Sequence, residues 1–364
     1  MLESLKNWLE IRIGINEIVR QQLTEYRMPE NINFLYTLGA VALFAFALQV
    51  ITGLLLLIYY IPHAEHAFKS IQVIMTEVPF GWLFRLMHVV GSNLMLLVVF
   101  LHMFSVFFMG SYKKPRELTW VSGALLLLLT LSFCLSGYLL PWSQLSYWAT
   151  TIVTTIPTAF PYVGGSIAEI LIGGRHVSDM TLRRFFAFHV GVIPFFYTLL
   201  LGLHIFLIRR IGVSTSPFGH SGNKKSSWSG YRHESHPFGC PFYPHFVIKE
   251  AIAAMAYLAA MFFIIAFVPE LFSHETDNIP ADPFSTPAHI KPEWYFLAAY
   301  QMLKIIPNKF IGIVLQLTLL CLFLFWPFFD TSEERNILKR PLLFVMFIFF
   351  MIIWTAFTVW GKYS

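Results

Sequence analysis

Four histidines within apolar segments are the residues best placed to do chemistry. His88 and His102 share one segment, and His189 and His204 share another. A histidine inside a membrane helix is costly and usually faces the bundle interior with a partner. Because a helix turns about 100° per residue, spacings of fourteen and fifteen residues leave each pair on one face, with its members roughly 21 and 22 Å apart along the axis.

The two histidine segments cross the membrane in the same direction, because one further apolar segment separates them. We therefore expect a first level, where His88 faces His189, and a second level, where His102 faces His204. Two imidazoles on one haem iron suit electron transfer, since no position is left open for oxygen. A buried histidine satisfied by a neighbour is the alternative for any one of the four, but it does not explain four histidines at matched depths.

Four glycines in two further apolar segments repeat a spacing of fourteen residues. They are Gly39 and Gly53 in the first segment of the chain, and Gly123 and Gly137 in the third. A macrocycle wedged between helices needs a missing side chain where it touches the backbone. Glycine is also common in helix packing without a cofactor, so this spacing supports haem binding only together with the histidines.

Three further side chains are candidates for contacts with haem propionates. Arg85 lies three residues before His88 and is expected to reach the first level. Arg116 and Trp120 could do the same at the second level. The alternative for Arg116 is a side chain that extends along apolar surface towards the membrane boundary.

Composition places these residues in a membrane. The 364 residues are 57% hydrophobic and 12% charged, with a mean hydropathy of +0.64, which is too apolar for a soluble domain of this size. We predict an all-α membrane protein with seven transmembrane helices, in which a four-helix haem-binding bundle precedes a three-helix block. The predicted spans are Phe34–Tyr60, Leu83–Met109, Leu118–Leu140, Phe185–Ile208, Val247–Val268, Ile311–Phe329 and Leu342–Trp360.

The same pattern divides the chain into four regions. Residues 1–33 carry charges without an apolar core, which predicts an amphipathic segment and no cleavable signal peptide. Residues 34–211 form the di-haem domain. Residues 212–246, rich in Gly, Ser, His and Pro, are a predicted cytoplasmic linker, and residues 247–364 form the three-span domain.

Charge and cysteine content set the orientation and exclude one cofactor. The connections on the N-terminal side carry fifteen Lys and Arg and the opposite connections carry eight, so the N-terminus is predicted to be cytoplasmic. The net charge of +5 lies mainly in these loops, which favours anionic lipid over nucleic acid as a partner. The three cysteines form no Cys-x-x-Cys-His motif, which excludes c-type haem attachment by that motif.

The histidines and glycines, together with Gly137-Tyr-Leu-Leu-Pro-Trp142, Pro292-Glu-Trp-Tyr295 and Ile306-Pro-Asn-Lys309, resemble the cytochrome b/b6 family almost from end to end. The resemblance implies two non-covalent b haems, of low potential at the His88/His189 level and of high potential at the His102/His204 level. It also implies that the Pro-Glu-Trp-Tyr motif marks a quinol oxidation pocket.

The function implied by the resemblance is that of the di-haem subunit of a quinol:cytochrome c oxidoreductase. Such a subunit oxidises quinol at the outer face and passes one electron through both haems to a quinone-reduction site, coupled to proton translocation. The expected partners are a Rieske iron-sulfur protein, a c-type cytochrome subunit, quinone, membrane lipid and a second copy of the complex.

Three details refine the resemblance. The spacing between His189 and His204 is similar to that of cytochrome b6, and three spans after the linker resemble the small partner subunit of the plant-type complex. Thr37 stands where cytochrome b6 has a cysteine, so a covalent third haem is not expected. The combination suggests a bacterial cytoplasmic membrane.

For quinol oxidation, Glu293 is the expected proton acceptor, because a carboxylate in a partly apolar pocket has a pKa shifted towards neutral. Tyr295 is the second expected catalytic residue, and the other candidate pocket residues are Pro292, Trp294, Tyr147 and Tyr300. An aromatic wall is the alternative for the last two tyrosines. Candidate proton carriers at the inner face are Arg209, Arg210 and Glu17, although membrane anchoring explains the arginines equally well.

Two other classes of protein are alternatives to a quinol:cytochrome c oxidoreductase subunit. A di-haem anchor of a dehydrogenase or transmembrane reductase would share the histidines, but the Pro292–Tyr295 motif argues against it. A transporter with structural histidines would bind no haem, and the sequence lacks the broken helices expected of one.

Overall fold

A computed structural model describes residues 2–29, 32–218, 239–287 and 290–364. Most of the predicted linker, residues 219–238, lies outside the described residues. The helices are α1 (Leu2–Ile13), α2 (Ile15–Val19), α3 (Leu38–Leu57), α4 (Ala67–Thr76), α5 (Gly81–Phe108), α6 (Glu117–Leu139), α7 (Gln144–Thr155), α8 (Gly164–Ile172), α9 (Asp179–Ala187), α10 (Ile193–Ile211), α11 (Val247–Phe267), α12 (Leu297–Ile305), α13 (Lys309–Leu324), α14 (Trp326–Phe329) and α15 (Pro341–Tyr363). Two short antiparallel strands, β1 (Arg27–Met28) and β2 (Cys240–Pro241), join the N-terminal arm to the chain before α11.

Short 3₁₀ and π-helical turns complete the secondary structure. The 3₁₀ turns are Phe34–Thr37, Ile156–Ala159, Glu275–Asn278 and Ile337–Lys339, and the π-helical turns are Arg20–Thr24, Phe188–Val192 and Phe242–Phe246. The turn Phe34–Thr37 extends α3 by one turn at its N-terminus. The turn Phe188–Val192 joins α9 to α10, so these two helices form one continuous helical stretch.

Six helical stretches in the described part of the chain are long and apolar enough to cross a membrane: Phe34–Leu57, Gly81–Phe108, Glu117–Leu139, Asp179–Ile211, Phe242–Phe267 and Pro341–Tyr363. They correspond to six of the seven predicted spans and confirm an integral membrane protein that is mostly helical. The remaining predicted span, Ile311–Phe329, contains the 16-residue helix α13 and the separate turn α14. At about 1.5 Å per residue, α13 alone is shorter than the roughly 30 Å of a hydrocarbon core.

Pro327 explains why the predicted span Ile311–Phe329 is interrupted. Proline lacks the N–H that would donate to the carbonyl four residues earlier, which is that of Phe323. The Phe323 carbonyl instead accepts a hydrogen bond from the Trp120 indole of α6, at 3.0 Å. The break therefore also attaches α13 to the haem-binding bundle.

The four helices of the predicted bundle contact one another in pairs: α3 packs along α5, α10 packs along α6, and α5 also contacts α6. Helix α11 lies against α3 and α5, and the Tyr257 hydroxyl donates to the Gly91 carbonyl at 2.9 Å. Helix α12 packs on α15. The outward faces of these helices expose many large apolar side chains, as expected where lipid replaces water.

A buried ionic cluster joins the two blocks where α5 and α6 meet the connection between α14 and α15. The Asp330 carboxylate lies 2.8 Å from the Lys113 ammonium and 2.6 Å from the Arg340 guanidinium, and it also accepts a hydrogen bond from the Tyr112 hydroxyl. The Asp330 and Lys113 side chains are only 3% and 8% exposed. Such a cluster holds its helices together only while every charge in it remains paired.

Candidate functional site

The structure brings the four histidines together in the two predicted levels. The ring centroids of His88 and His189 lie 6.2 Å apart, with the ring planes at 77°. His102 and His204 are close enough to interact electrostatically. Since an imidazole nitrogen binds a transition metal at about 2.0–2.1 Å, the first pair leaves room for one metal ion between its rings.

Each of the four predicted glycines lies directly against one histidine ring. A Cβ at each glycine would approach the ring Cε1 of its histidine at these distances: Gly39 and His102, 3.2 Å; Gly53 and His88, 3.2 Å; Gly123 and His204, 3.1 Å; Gly137 and His189, 2.6 Å. At Gly137 this distance is shorter than real Cβ contacts allow, and at the other three glycines the ring would have to move by a few tenths of an ångström. The glycines therefore make room for the imidazole rings. The sequence had predicted that they make room for a macrocycle.

A π-helical turn explains the unequal spacing of the histidine pairs. His189 lies in the turn Phe188–Val192, whereas His88 and His102 lie in the continuous helix α5. A π turn carries one extra residue, and such turns occur often at functional sites. The extra residue absorbs the fifteenth position between His189 and His204, so both rings face the bundle interior.

Three hydroxyls that the sequence analysis missed contact the histidine rings. Thr52, Ser122 and Ser136 each lie near the Nδ1 atom of one ring, at distances of 2.9 Å to His88, 2.9 Å to His204 and 3.1 Å to His189. Each hydroxyl residue immediately precedes one of the four glycines. That adjacency is a signal the sequence offered, because the residue before such a glycine must lie beside the same ring.

These residues fit haem iron. The paired imidazoles come from opposite helices, and their second nitrogens are engaged by hydroxyls at three of four positions, as is usual for metal-bound histidine. A Cβ at any of the four glycines would meet a ring. The donor set therefore suits haem iron, which two imidazoles would hold at each level and which would supply one-electron transfer.

The predicted propionate contacts have different surroundings. Arg85 lines a cavity of about 510 Å³ together with Pro141 and Asp277, next to the first level. Arg116 is buried and donates to the Gly212 carbonyl at 3.3 Å. The Trp120 indole donates to the Phe323 carbonyl, as described above. A contact of Trp120 with a propionate stays a prediction. Thr37 is fully buried and donates to the Phe34 carbonyl.

The Pro292–Tyr295 segment lies against the bundle at the first level. The Trp294 indole donates to the Asn93 side-chain oxygen of α5 at 2.9 Å. Tyr295 is buried and contacts Cys134 of α6, and burial raises the pKa of the Tyr295 phenol well above its usual range. The motif is thereby held on the two helices that flank the first pair of histidines.

Glu293 occupies a carboxylate pocket formed with Asp277 and His274. The Glu293 side chain is 11% exposed, and its Oε1 lies 3.9 Å from the His274 Nε2 atom. Burial, reinforced by the negative charge of Asp277, raises the pKa of Glu293 to about 7. Burial also raises the pKa of Asp277, against the effect of its hydrogen bond from the His274 backbone.

His274, Asp277 and Tyr138 also lie near Glu293 and were not predicted from the sequence. Among the residues that the structure describes, the buried Tyr138 hydroxyl has no hydrogen-bond partner, and it interacts electrostatically with Glu293 and Asp277. Tyr138 lies inside the Gly137–Trp142 stretch that the sequence analysis singled out. Asp277 lies in the 3₁₀ turn Glu275–Asn278, and His274 caps the N-terminus of that turn. No sequence pattern links these two residues to Glu293.

The remaining candidates lie as follows. Tyr147 is buried against Trp142 and donates to the Val177 carbonyl at 3.4 Å, which matches the aromatic-wall alternative. Tyr300 is half-buried in α12. Arg209 lies over the Tyr26 ring at 4.4 Å. Arg210 lies in the last turn of α10, and Glu17 pairs with Arg20 at 2.7 Å.

The fold is that of a helical membrane protein, and its paired imidazoles suit a metal ion. Comparisons with known proteins agree. The family described as "Cytochrome b/b6/petB" matches residues 23–212, and the family described as "Cytochrome b(C-terminal)/b6/petD" matches residues 280–364. The chain is 36% identical over 344 residues to a cytochrome b of Rickettsia prowazekii, covering 94% of this chain and 83% of that protein. It is 36% identical over 340 residues to a cytochrome b of Allochromatium vinosum, covering 91% and 81%.

A solved structure of a hyperthermophilic respiratory complex III contains a chain that matches with a TM-score of 0.87 and 41% identity, covering 98% of this chain and 91% of that one. The chain belongs to the cytochrome b/b6 family, whose members bind haem b. It is accordingly a core subunit of a quinol:cytochrome c oxidoreductase and acts within a multi-subunit complex.

Proposed function

We propose that this chain oxidises quinol in the Glu293 pocket at the outer membrane face and supports quinone reduction near the inner face. The observation that carries the proposal is the placement of Glu293, 3.9 Å from His274 and in the loop docked beside the His88 and His189 pair. A proton-accepting group and a metal-binding level therefore share one end of the bundle. A dehydrogenase anchor needs no such carboxylate beside its haem.

His88 and His189 would hold one b haem, and His102 and His204 a second. When bound, the two haems supply one-electron transfer across the membrane. The residues of the chain account for the rest: helices α5 and α10 supply the imidazoles, and α3 and α6 supply the glycines on which the rings pack. We place the low-potential haem at the first level and the high-potential haem at the second.

Glu293 acts as the general base for the quinol hydroxyl. With a pKa of about 7, a substantial fraction is ionised near neutral pH and the group readily passes its proton on, which is the condition for efficient general-base catalysis. His274 is 48% exposed, whereas Glu293 is 11% exposed, so His274 offers a route for the proton to the outer phase. Tyr138 and Tyr295 border the same space through their hydroxyls.

The topology that fits this function has seven spans, with α13 and α14 forming the sixth and with the N-terminus in the cytoplasm of a bacterium. Residues 34–211 then form the di-haem domain and residues 247–364 the three-span domain. We infer that the complex contains a Rieske iron-sulfur protein as the first electron acceptor and a c-type cytochrome subunit. We also infer that it forms a homodimer in contact with membrane lipid.

The purified complex tests the proposal with quinol as donor and cytochrome c as acceptor. Glu293→Gln keeps the size of the side chain and removes the base, and general-base catalysis is typically worth about 10²–10⁴-fold. We expect both cytochrome c reduction and quinol-driven haem b reduction to fall by a factor in that range. Glu65→Gln is the matched control, since Glu65 is an exposed residue of the connection between α3 and α4. An unchanged rate in Glu293→Gln would favour the dehydrogenase-anchor alternative.

A further inference from the structure

Three of the four histidine rings meet a hydroxyl that is paired with a glycine. The dipeptides are Thr52-Gly53 opposite His88, Ser122-Gly123 opposite His204 and Ser136-Gly137 opposite His189. In each case the glycine admits the edge of the ring, and the preceding hydroxyl lies beside its Nδ1 atom. The repetition in two separate helices indicates one device used three times.

The hydroxyl protons are already committed to the helix backbone. Thr52 Oγ1 lies 2.9 Å from the Leu48 carbonyl, Ser122 Oγ lies 2.9 Å from the Thr119 carbonyl, and Ser136 Oγ lies 2.8 Å from the Ser132 carbonyl. A hydroxyl has one proton to donate and two lone pairs that accept. Each hydroxyl can therefore accept from the imidazole, which places the ring proton on Nδ1 and leaves Nε2 free to bind metal. At His88 the Gln49 side-chain amide lies at the same Nδ1 atom as the Thr52 hydroxyl.

The fourth histidine is the exception. Leu38 precedes Gly39, the glycine that lies against His102. Among the residues that the structure describes, no hydrogen bond to the His102 ring is found. The first level thus has two hydroxyls, from Thr52 and Ser136, and the second level has one, from Ser122.

We propose that Thr52, Ser122 and Ser136 are positioning residues that fix the ligand tautomer, and that their unequal distribution lowers the potential of the first-level haem relative to the second. The inference rests on the proposed haem-binding function. A hydrogen bond from Nδ1–H raises the basicity of the ligand. A more basic ligand favours ferric iron, so the level with two such bonds is the harder one to reduce. Electrons then move from the first level to the second.

Redox titration of the haem b absorbance in the purified complex tests the proposal at the second level. Ser122→Ala is expected to raise the midpoint potential of the second-level haem, and Ser122→Thr, which keeps the hydroxyl, is expected to restore it. Leu38→Ser adds the missing hydroxyl and is expected to lower the same potential. Each tenfold change in the preference for ferric iron moves a one-electron potential by 59 mV.

The first level supplies the complementary test. Thr52→Val and Ser136→Ala are expected to raise the potential of the first-level haem only and to narrow the gap between the two haems. Ser132→Ala is the matched control, because its hydroxyl lies one turn from Ser136 and bonds to the Leu128 carbonyl at 2.9 Å. It is expected to leave both potentials unchanged.

The outcomes separate this inference from the proposed function. If the wild-type complex holds two b haems but both potentials stay fixed in Ser122→Ala, Leu38→Ser and Thr52→Val, the hydroxyls have no positioning role and the inference is wrong. If the wild-type complex holds no b haem, the proposed function itself fails.

Discussion

Gly137 of α6 lies so close to His189 that a Cβ at Gly137 would be 2.6 Å from the imidazole Cε1. The same relationship, at 3.1 to 3.2 Å, holds for the other three pairs of glycine and histidine. Each predicted metal-binding level therefore combines two helices that carry the histidines with two helices whose glycines leave space for the rings. This pairing explains why the glycine spacing of fourteen residues is close to the histidine spacings of fourteen and fifteen residues.

A methyl group at Gly137 should displace the His189 ring. A Cβ at 2.6 Å is closer than real Cβ contacts allow, and interiors at native packing density have no spare volume. We expect Gly137→Ala to lose the first-level haem and to keep the second, so that haem b content per chain falls by half. Pyridine haemochrome analysis measures that content. Gly202→Ala in α10, where nothing lies within 4 Å of the added Cβ, should retain both haems.

The rate of quinol oxidation should rise with pH through about 7. The base must be ionised to accept a proton, and burial together with the charge of Asp277 places the pKa of Glu293 at about 7. Steady-state rates between pH 5.5 and 9 measure this dependence, which Glu293→Gln should abolish. A wild-type profile that is flat across neutral pH would show that Glu293 is not the base.

Asp277→Asn should shift the rise in the rate of quinol oxidation to lower pH. Removing a nearby negative charge makes ionisation of Glu293 easier and lowers its pKa. The half-maximal rate should therefore occur at a lower pH than in the wild type, while Asp282→Asn, in the exposed part of the same connection, should leave the profile unchanged. An unchanged pH of the half-maximal rate in Asp277→Asn would show that Asp277 does not act on Glu293.

The cluster around Asp330 should be essential for stability. Burial alone would raise the pKa of Asp330, but hydrogen bonds from Arg340, Lys113 and Tyr112 outweigh it and hold the pKa well below its usual range. The stabilisation is therefore present above the unfolded-state pKa of about 3.9 and is lost as pH falls through the folded-state value. Asp330→Asn leaves buried cations unpaired, which typically costs about 3–5 kcal/mol.

Thermal unfolding of the detergent-solubilised complex measures this cost. Glu334→Gln is a suitable control, because Glu334 is an exposed residue of the same connection and lies 3.9 Å from Lys339 in a solvent-exposed pair. Exposed pairs contribute little to stability. Equal midpoints of unfolding for Asp330→Asn and the wild type would mean that the cluster does not join the two blocks.

The pairing of the histidines in two levels could be predicted because it follows from residue type and helical period. The Pro292–Tyr295 segment could be singled out only by its resemblance to the cytochrome b/b6 family. The break between α13 and α14 was not predicted, because hydropathy counts Pro327 within an apolar run although its missing N–H ends the helix. The π turn at His189 was also not predicted, since the fifteen-residue spacing alone fits an ordinary helix within 60°. His274 and Asp277 were missed because tertiary folding alone brings their turn to Glu293.

The most direct test of the account is the haem b content of the purified complex, measured as pyridine haemochrome for the wild type and for His102→Leu. We expect two b haems per chain in the wild type. We expect one in His102→Leu, with the redox signal of the remaining haem assigned to the His88 and His189 level. A wild-type content of one or none, or the loss of both haems in an otherwise folded His102→Leu complex, would contradict two independent pairs of histidine ligands.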